Sequence, residues 1–109
     1  MNRKQIITRL LEMPTEILNA ESILLNAQAD IFEAKELLSA KEADLYTEGK
    51  IDGKNAEIRN GQLRQLTVLE RNNVMSAENN LAHARITFNH LHNEFKVLQT
   101  VAYLIEGVE

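Results

Sequence analysis

The sequence predicts an all-α protein, a long antiparallel helical hairpin of coiled-coil type, and three observations predict it. Leu10, Ile17, Leu24, Ile31, Leu38 and Leu45 recur every seven residues along the first half. Val74, Ala77, Leu81, Ala84, Phe88, Leu91, Phe95, Leu98, Ala102 and Ile105 alternate by three and four along the second. Between the two runs stands one short segment of turn chemistry, Gly49 to Asp52. Residues at these spacings form one stripe on a helix, and a short loop makes two such helices antiparallel neighbours.

The first arm is expected at about 3–47. Its seam carries mostly small residues between the leucines and isoleucines, Met13, Ala20, Ala27, Ala34 and Lys41, so a neighbouring helix can approach closely. Pro14 lacks an N–H and clashes with the preceding turn, costing about 3 kcal/mol inside a helix. A kink or break is expected there. Leu10 and Ile17 keep the same phase on either side, which favours a kinked continuation over residues 3–12 folding back as a short third helix.

The turn is expected at 49–52. Gly49 stands where a C-terminal glycine cap belongs, Asp52 can accept the free amides of a new helix, and Ile51 can staple onto its first turn. The second arm is expected at about 53–106, roughly 80 Å at the rise of an α-helix. Its phase blurs between Ala56 and Asn73, around Gly61, Thr67 and Glu70, so packing near the turn is expected to be looser. An interior helical glycine costs about 1 kcal/mol relative to alanine, and Gly61 is read as a crossing point between helices.

Two helices side by side give a thin core, and the chain is expected to need a partner. Leu11, Leu18, Leu25 and Phe32 form a second apolar strip beside the first seam, with Ile23 and Leu37 on the other flank. One facing helix cannot cover that arc. Residues 1–109 are read as a single helical-hairpin domain, and the strip predicts a homo-oligomer, most simply a dimer that pairs two hairpins into a four-helix bundle.

Composition narrows the chemistry. There is no Cys, which removes disulfides and thiolate metal sites and makes a reducing cytoplasm the expected location. No stretch approaches the roughly 20 apolar residues of a membrane span, and MNRKQIITRLLEMP lacks a secretory apolar core. His83, His90 and His92 fall outside the seam without the Glu-x-x-His pairs of di-iron bundles, so no metal is expected. Glu33, Glu36, Asp44 and Glu48 read as a solvated face. GKIDGKN lacks the spacing and the preceding strand of a phosphate-binding loop. The expectation is a protein without catalytic residues or cofactor.

Charge is uneven along the chain. Residues 12–48 hold nine acids against Lys35 and Lys41, whereas 49–71 hold five cations against Asp52, Glu57 and Glu70. Lys50, Lys54, Asn55, Arg59, Arg64 and Arg71 thus mark a basic hairpin tip as a candidate interaction site. Phosphate neutralisation dominates nucleic-acid affinity, and the net charge of -4 with only Tyr46 available for stacking argues against DNA as partner. A protein partner is the leading expectation. Direct binding of single-stranded or duplex DNA by the tip, and inhibition of a host enzyme by the acidic arm, are the alternatives.

The stretch LYTEGKIDGKNAEIRNGQLRQL, with Gly53, Lys54, Asn55, Ala56, Glu57 and Arg59 forming a GKNAE-x-R run, resembles a turn in small helical-hairpin proteins encoded by bacteriophages and integrated mobile elements. The resemblance covers about a fifth of the chain, and Asn60 and Gly61 depart from it. It implies an accessory role in phage recombination or replication, in the bacterial host cytoplasm, and supplies no catalytic residues.

Overall fold

Helix α1 begins with a reciprocal cap that the sequence carries at Asn2 and Gln5. The Asn2 side chain accepts from the Gln5 amide at 2.9 Å, and the Gln5 side chain accepts from the Asn2 amide at 2.9 Å. Two amides without helical partners are satisfied at once. In the computed structural model, which describes residues 1–106, α1 then runs unbroken from Arg3 to Thr47. The last three residues of the predicted domain lie outside the described residues. Helix α2 spans Ala56–Leu66 and α3 spans Val68–Glu106, with no strand among the described residues. Helices α1 and α3 pack against each other as a hairpin, as the two apolar stripes predict.

The chain divides into two compact units, Met1–Asn26 with the described residues from Ala82 onward, and Ala27–Leu81. In the first unit Ile6, Met13 and Leu98 are buried, and Leu10, Ile17, Leu91, Phe95, Val101, Ala102 and Ile105 pack against them. Met13 is fully buried. This cluster explains why Pro14 does not end the helix. Met13 is fully buried and Leu10 and Ile17 half-buried on either side of the proline, and full burial of one such side chain yields about 1.5–3 kcal/mol, so together they offset the local cost. The helix runs through Pro14 without a break, so residues 3–12 continue α1, as the shared phase of Leu10 and Ile17 favours, and do not fold back.

In the second unit Leu45, Ile51 and Leu63 form the core, and Ala27 and Ala77 are buried. Gly49 ends α1 with φ +72°, the left-handed conformation that L side chains rarely adopt. The Gly49 amide donates to the Tyr46 carbonyl at 3.1 Å and the Lys50 amide to the Leu45 carbonyl at 3.0 Å, the paired bonds of a Schellman cap.

Beyond Gly49 the turn differs from its prediction. The N-cap of the next helix is Asn55, whose side chain accepts from the Ile58 amide at 2.9 Å, so Asp52 is not the cap. Asp52 accepts from the Gln62 side chain at 2.8 Å, and the Gln62 oxygen accepts from the amides of Asp52 and Gly53. Gln62 thus supplies partners to loop amides that a cap at Asp52 would have left elsewhere. Ile51 packs in one buried cluster with Leu45 and Leu63.

The second arm is not one helix. Thr67, fully buried, interrupts it with φ -123° and ψ 28°. Its hydroxyl donates to the Leu63 carbonyl and accepts from Arg71 Nε at 2.9 Å. The same hydroxyl-to-carbonyl bond occurs inside unbroken helices at Thr8 and Thr100, so what sets Thr67 apart is its non-helical backbone, at which α2 ends, and the Arg71 side chain bonded to its hydroxyl.

The glycines near the turn separate by environment. A Cβ at Gly53 would lie 2.6 Å from Ile58 Cγ2, whereas one at Gly61 would meet nothing within 4 Å. Gly61 is not a crossing point between helices, and its cost is uncompensated by close approach. Gly61→Ala is expected to raise the unfolding free energy by about 0.5–1 kcal/mol. Gly53→Ala is expected to lower it by about 1–3 kcal/mol. Urea unfolding of both variants at one protein concentration checks the opposite signs.

Candidate interaction surfaces

Three features outside the core could engage another molecule: the basic tip, the apolar strip on α1, and a cleft between α1 and α3 in the second unit. The tip residues Lys50, Lys54, Asn55, Arg59, Arg64 and Arg71 all lie in the second unit, but four of them are occupied with local structure. Lys50 Nζ pairs with Glu48 at 3.0 Å. Asn55 caps α2, Arg59 donates to the Gly53 carbonyl at 3.1 Å, and Arg71 holds the Thr67 hydroxyl. Lys54 and Arg64 are exposed. Of the GKNAE-x-R run, Gly53 gives clearance for Ile58, Asn55 caps, and Arg59 closes onto Gly53. Half of that motif builds the turn.

The strip is present in full. Leu11, Leu18, Leu25 and Phe32 are exposed by 77%, 62%, 57% and 70%, values that leave each side chain mostly in water. Thr8, Thr15, Ser22 and Ala29, which alternate with them along the same face of α1, are exposed as well. The Thr8 hydroxyl donates to the Lys4 carbonyl at 2.9 Å. On the opposite flank Ile23 and Leu37 are also exposed.

The cleft has a volume of about 600 Å³ and was not legible in the sequence. Small residues, among them Ala34, Ala77 and Ser76, line it together with Leu37 and Leu69. Asp30, Glu33, Asp44 and Glu70 against Lys41 make its lining acidic. The signal for it lies in short side chains at seam and flank positions of both helices, which becomes readable only once the pairing of faces is known.

A second feature invisible to periodicity is the Arg9 centre in the first unit. Arg9 meets Glu94 in a two-pronged pair, Nε to Oε2 at 3.0 Å and Nη2 to Oε1 at 2.9 Å, and also donates to Glu16. The hydrogen bond to Glu94, followed by that to Glu16, raises the guanidinium pKa. In turn, the hydrogen bond from Arg9 lowers that of the Glu94 carboxyl. A carboxyl depressed by folding contributes stability above its unfolded pKa of about 4.3, and loses it as pH falls through the lower folded value. Unfolding free energy is therefore expected to drop on acidification below about pH 4. Glu94→Gln is expected to be less stable at neutral pH and to show a flatter acid limb in urea titrations.

His83, His90 and His92 are exposed, and Phe88 stacks on His92 with ring centroids 5.9 Å apart. Among the described residues no group of three or more His, Cys, Asp or Glu side chains gathers in metal-binding geometry. No helix among the described residues is long and apolar enough to cross a membrane. Comparison of the chain with protein-family models, with curated proteins and with solved structures finds no match.

Proposed function

We propose that this chain is a non-enzymatic helical interaction protein that self-associates, pairing two hairpins into a four-helix bundle, and that offers the assembled surface to a protein partner. The observation that carries the reading is the strip Leu11, Leu18, Leu25 and Phe32, four large apolar side chains on one face of α1 with more than half of each exposed. Contiguous apolar patches of several hundred Å² on a soluble chain mark interaction sites. Assignment to an accessory of phage recombination or replication rests on the GKNAE-x-R resemblance alone.

Nucleic-acid binding through the tip is the weaker reading, since Arg59 and Arg71 are engaged in the turn and the α2–α3 junction, leaving Lys54, Arg64 and Lys50, the last paired with Glu48, as its exposed cations. The two are separated by light scattering followed by titration of labelled single-stranded and duplex DNA at low and physiological salt. The proposal expects a dimer that does not bind DNA at physiological salt. A monomer would overturn it. Saturable, steeply salt-dependent binding abolished by Lys54→Glu or Arg64→Glu would establish the nucleic-acid reading.

A further inference from the structure

We infer that the second copy docks antiparallel on α1, about a two-fold axis at Ala20, with each large residue of the strip seated on a small residue of the other copy; this rests on the self-association proposed above. The strip has two rows on one helix face. Lys4, Leu11, Leu18, Leu25 and Phe32 form the first, and Thr8, Thr15, Ser22, Ala29 and Glu36 the second, each spaced by seven. Because α1 is helical throughout Arg3–Thr47, the rows alternate by four and three like the seam of a coiled coil.

In an antiparallel pair each residue of the first row lies opposite one of the second row of the other helix, and successive registers differ by seven residues. One register pairs Leu11 with Ala29, Leu18 with Ser22, Leu25 with Thr15 and Phe32 with Thr8 of the second copy. Every layer then joins one large and one small side chain, which fills space without overpacking. In that same register Lys4 faces Glu36 of the second copy at both ends, so the uncharged strip is closed by opposite charges.

The neighbouring registers lose both properties. Sliding one step in one direction sets Leu11 against Glu36; sliding in the other carries Phe32 past the start of α1 at Arg3. All ten residues are exposed in the single chain. Leu11, Leu18, Leu25 and Phe32 each leave more than half of their surface open for burial. The alternation of large and small side chains along the strip and the opposite charges at its ends therefore select a second copy as occupant.

The chain contains no cysteine, so engineered ones report alone. Thr15→Cys and Leu25→Cys are prepared separately and mixed, and a short bis-maleimide is added. The expected result is a cross-linked dimer in the mixture and none in either variant by itself. Cross-linking of each variant alone would show parallel helices and overturn the proposal. Absence of cross-links in a mixture that still sediments as a dimer would also overturn it, leaving self-association standing. A monomeric wild-type chain would overturn both.

A charge exchange tests the register with every apolar contact kept. Lys4→Glu and Glu36→Lys are each expected to weaken the dimer about threefold to tenfold at low salt, and the double variant to restore it. Failure of the double variant to recover would refute the pairing of Lys4 with Glu36.

Discussion

Replacing Leu18 and Leu25 together by glutamate is expected to convert the proposed dimer to a monomer while helical content stays unchanged. Both side chains are exposed in the single chain by more than half, so nothing in its own core is lost, and glutamate is a good helix former. Substitutions on such a surface shift the stability of one chain by about 0.5 kcal/mol or less. In the dimer each leucine counts twice, and four buried leucines at about 1.5 kcal/mol each represent roughly 6 kcal/mol of association energy. Carboxylates in their place add a desolvation cost. The dissociation constant is expected to rise by more than about a thousandfold, read by sedimentation velocity with circular dichroism on the same samples.

Met13→Ala is expected to be the most damaging single change to the fold itself. Met13 is fully buried against Ile6 and Leu98 in the first unit, in the cluster that holds Leu10 and Ile17 together across Pro14. Truncating a buried side chain of this size costs about 2–5 kcal/mol, according to how far the surroundings collapse into the space. The position has a further consequence. With less apolar burial to offset the proline, the first turns of α1 are expected to fray, so amide exchange should accelerate over residues 3–12 before it does around Leu45. Met13→Leu, nearly equal in volume, is expected to cost less than about 1.5 kcal/mol. Equal losses for the two variants in urea unfolding would show that Met13 is not packed as described.

Periodicity made the architecture readable because it records which face of a helix is covered. The seven-residue row from Leu10 to Leu45 and the three-four row from Val74 to Ile105 each needed only their own spacing, and so did the uncovered strip from Leu11 to Phe32. Gly49 was legible because a positive φ at a helix end is chemically selective. What escaped depends on competition between residues that sequence order does not rank. Asp52 and Asn55 are both good caps, and Gln62, ten residues beyond Asp52, decides between them by claiming the loop amides. Thr67 occupies a position that periodicity treats as one more step, yet its backbone leaves the helical conformation there and α2 ends. At Pro14 the local penalty was foreseen, but the burial on both sides that overcomes it belongs to the other arm.

The candidate surfaces divide in the same way. The strip was visible because it is periodic. The basic tip was composed from nearness in sequence, and the structure spends Asn55, Arg59 and Arg71 on holding the turn and the α2–α3 junction. Neither the pairing of Arg9 with Glu94 nor the acidic cleft around Ala34 and Ala77 could be read before the facing flanks of α1 and α3 were known.

Self-association is tested most directly by sedimentation equilibrium of the wild-type chain over about two orders of magnitude in concentration. One chain has a mass of 12.4 kDa. The account predicts a fit to twice that mass at the higher concentrations, with dissociation towards a single chain only on dilution. A mass of one chain at every concentration would contradict it.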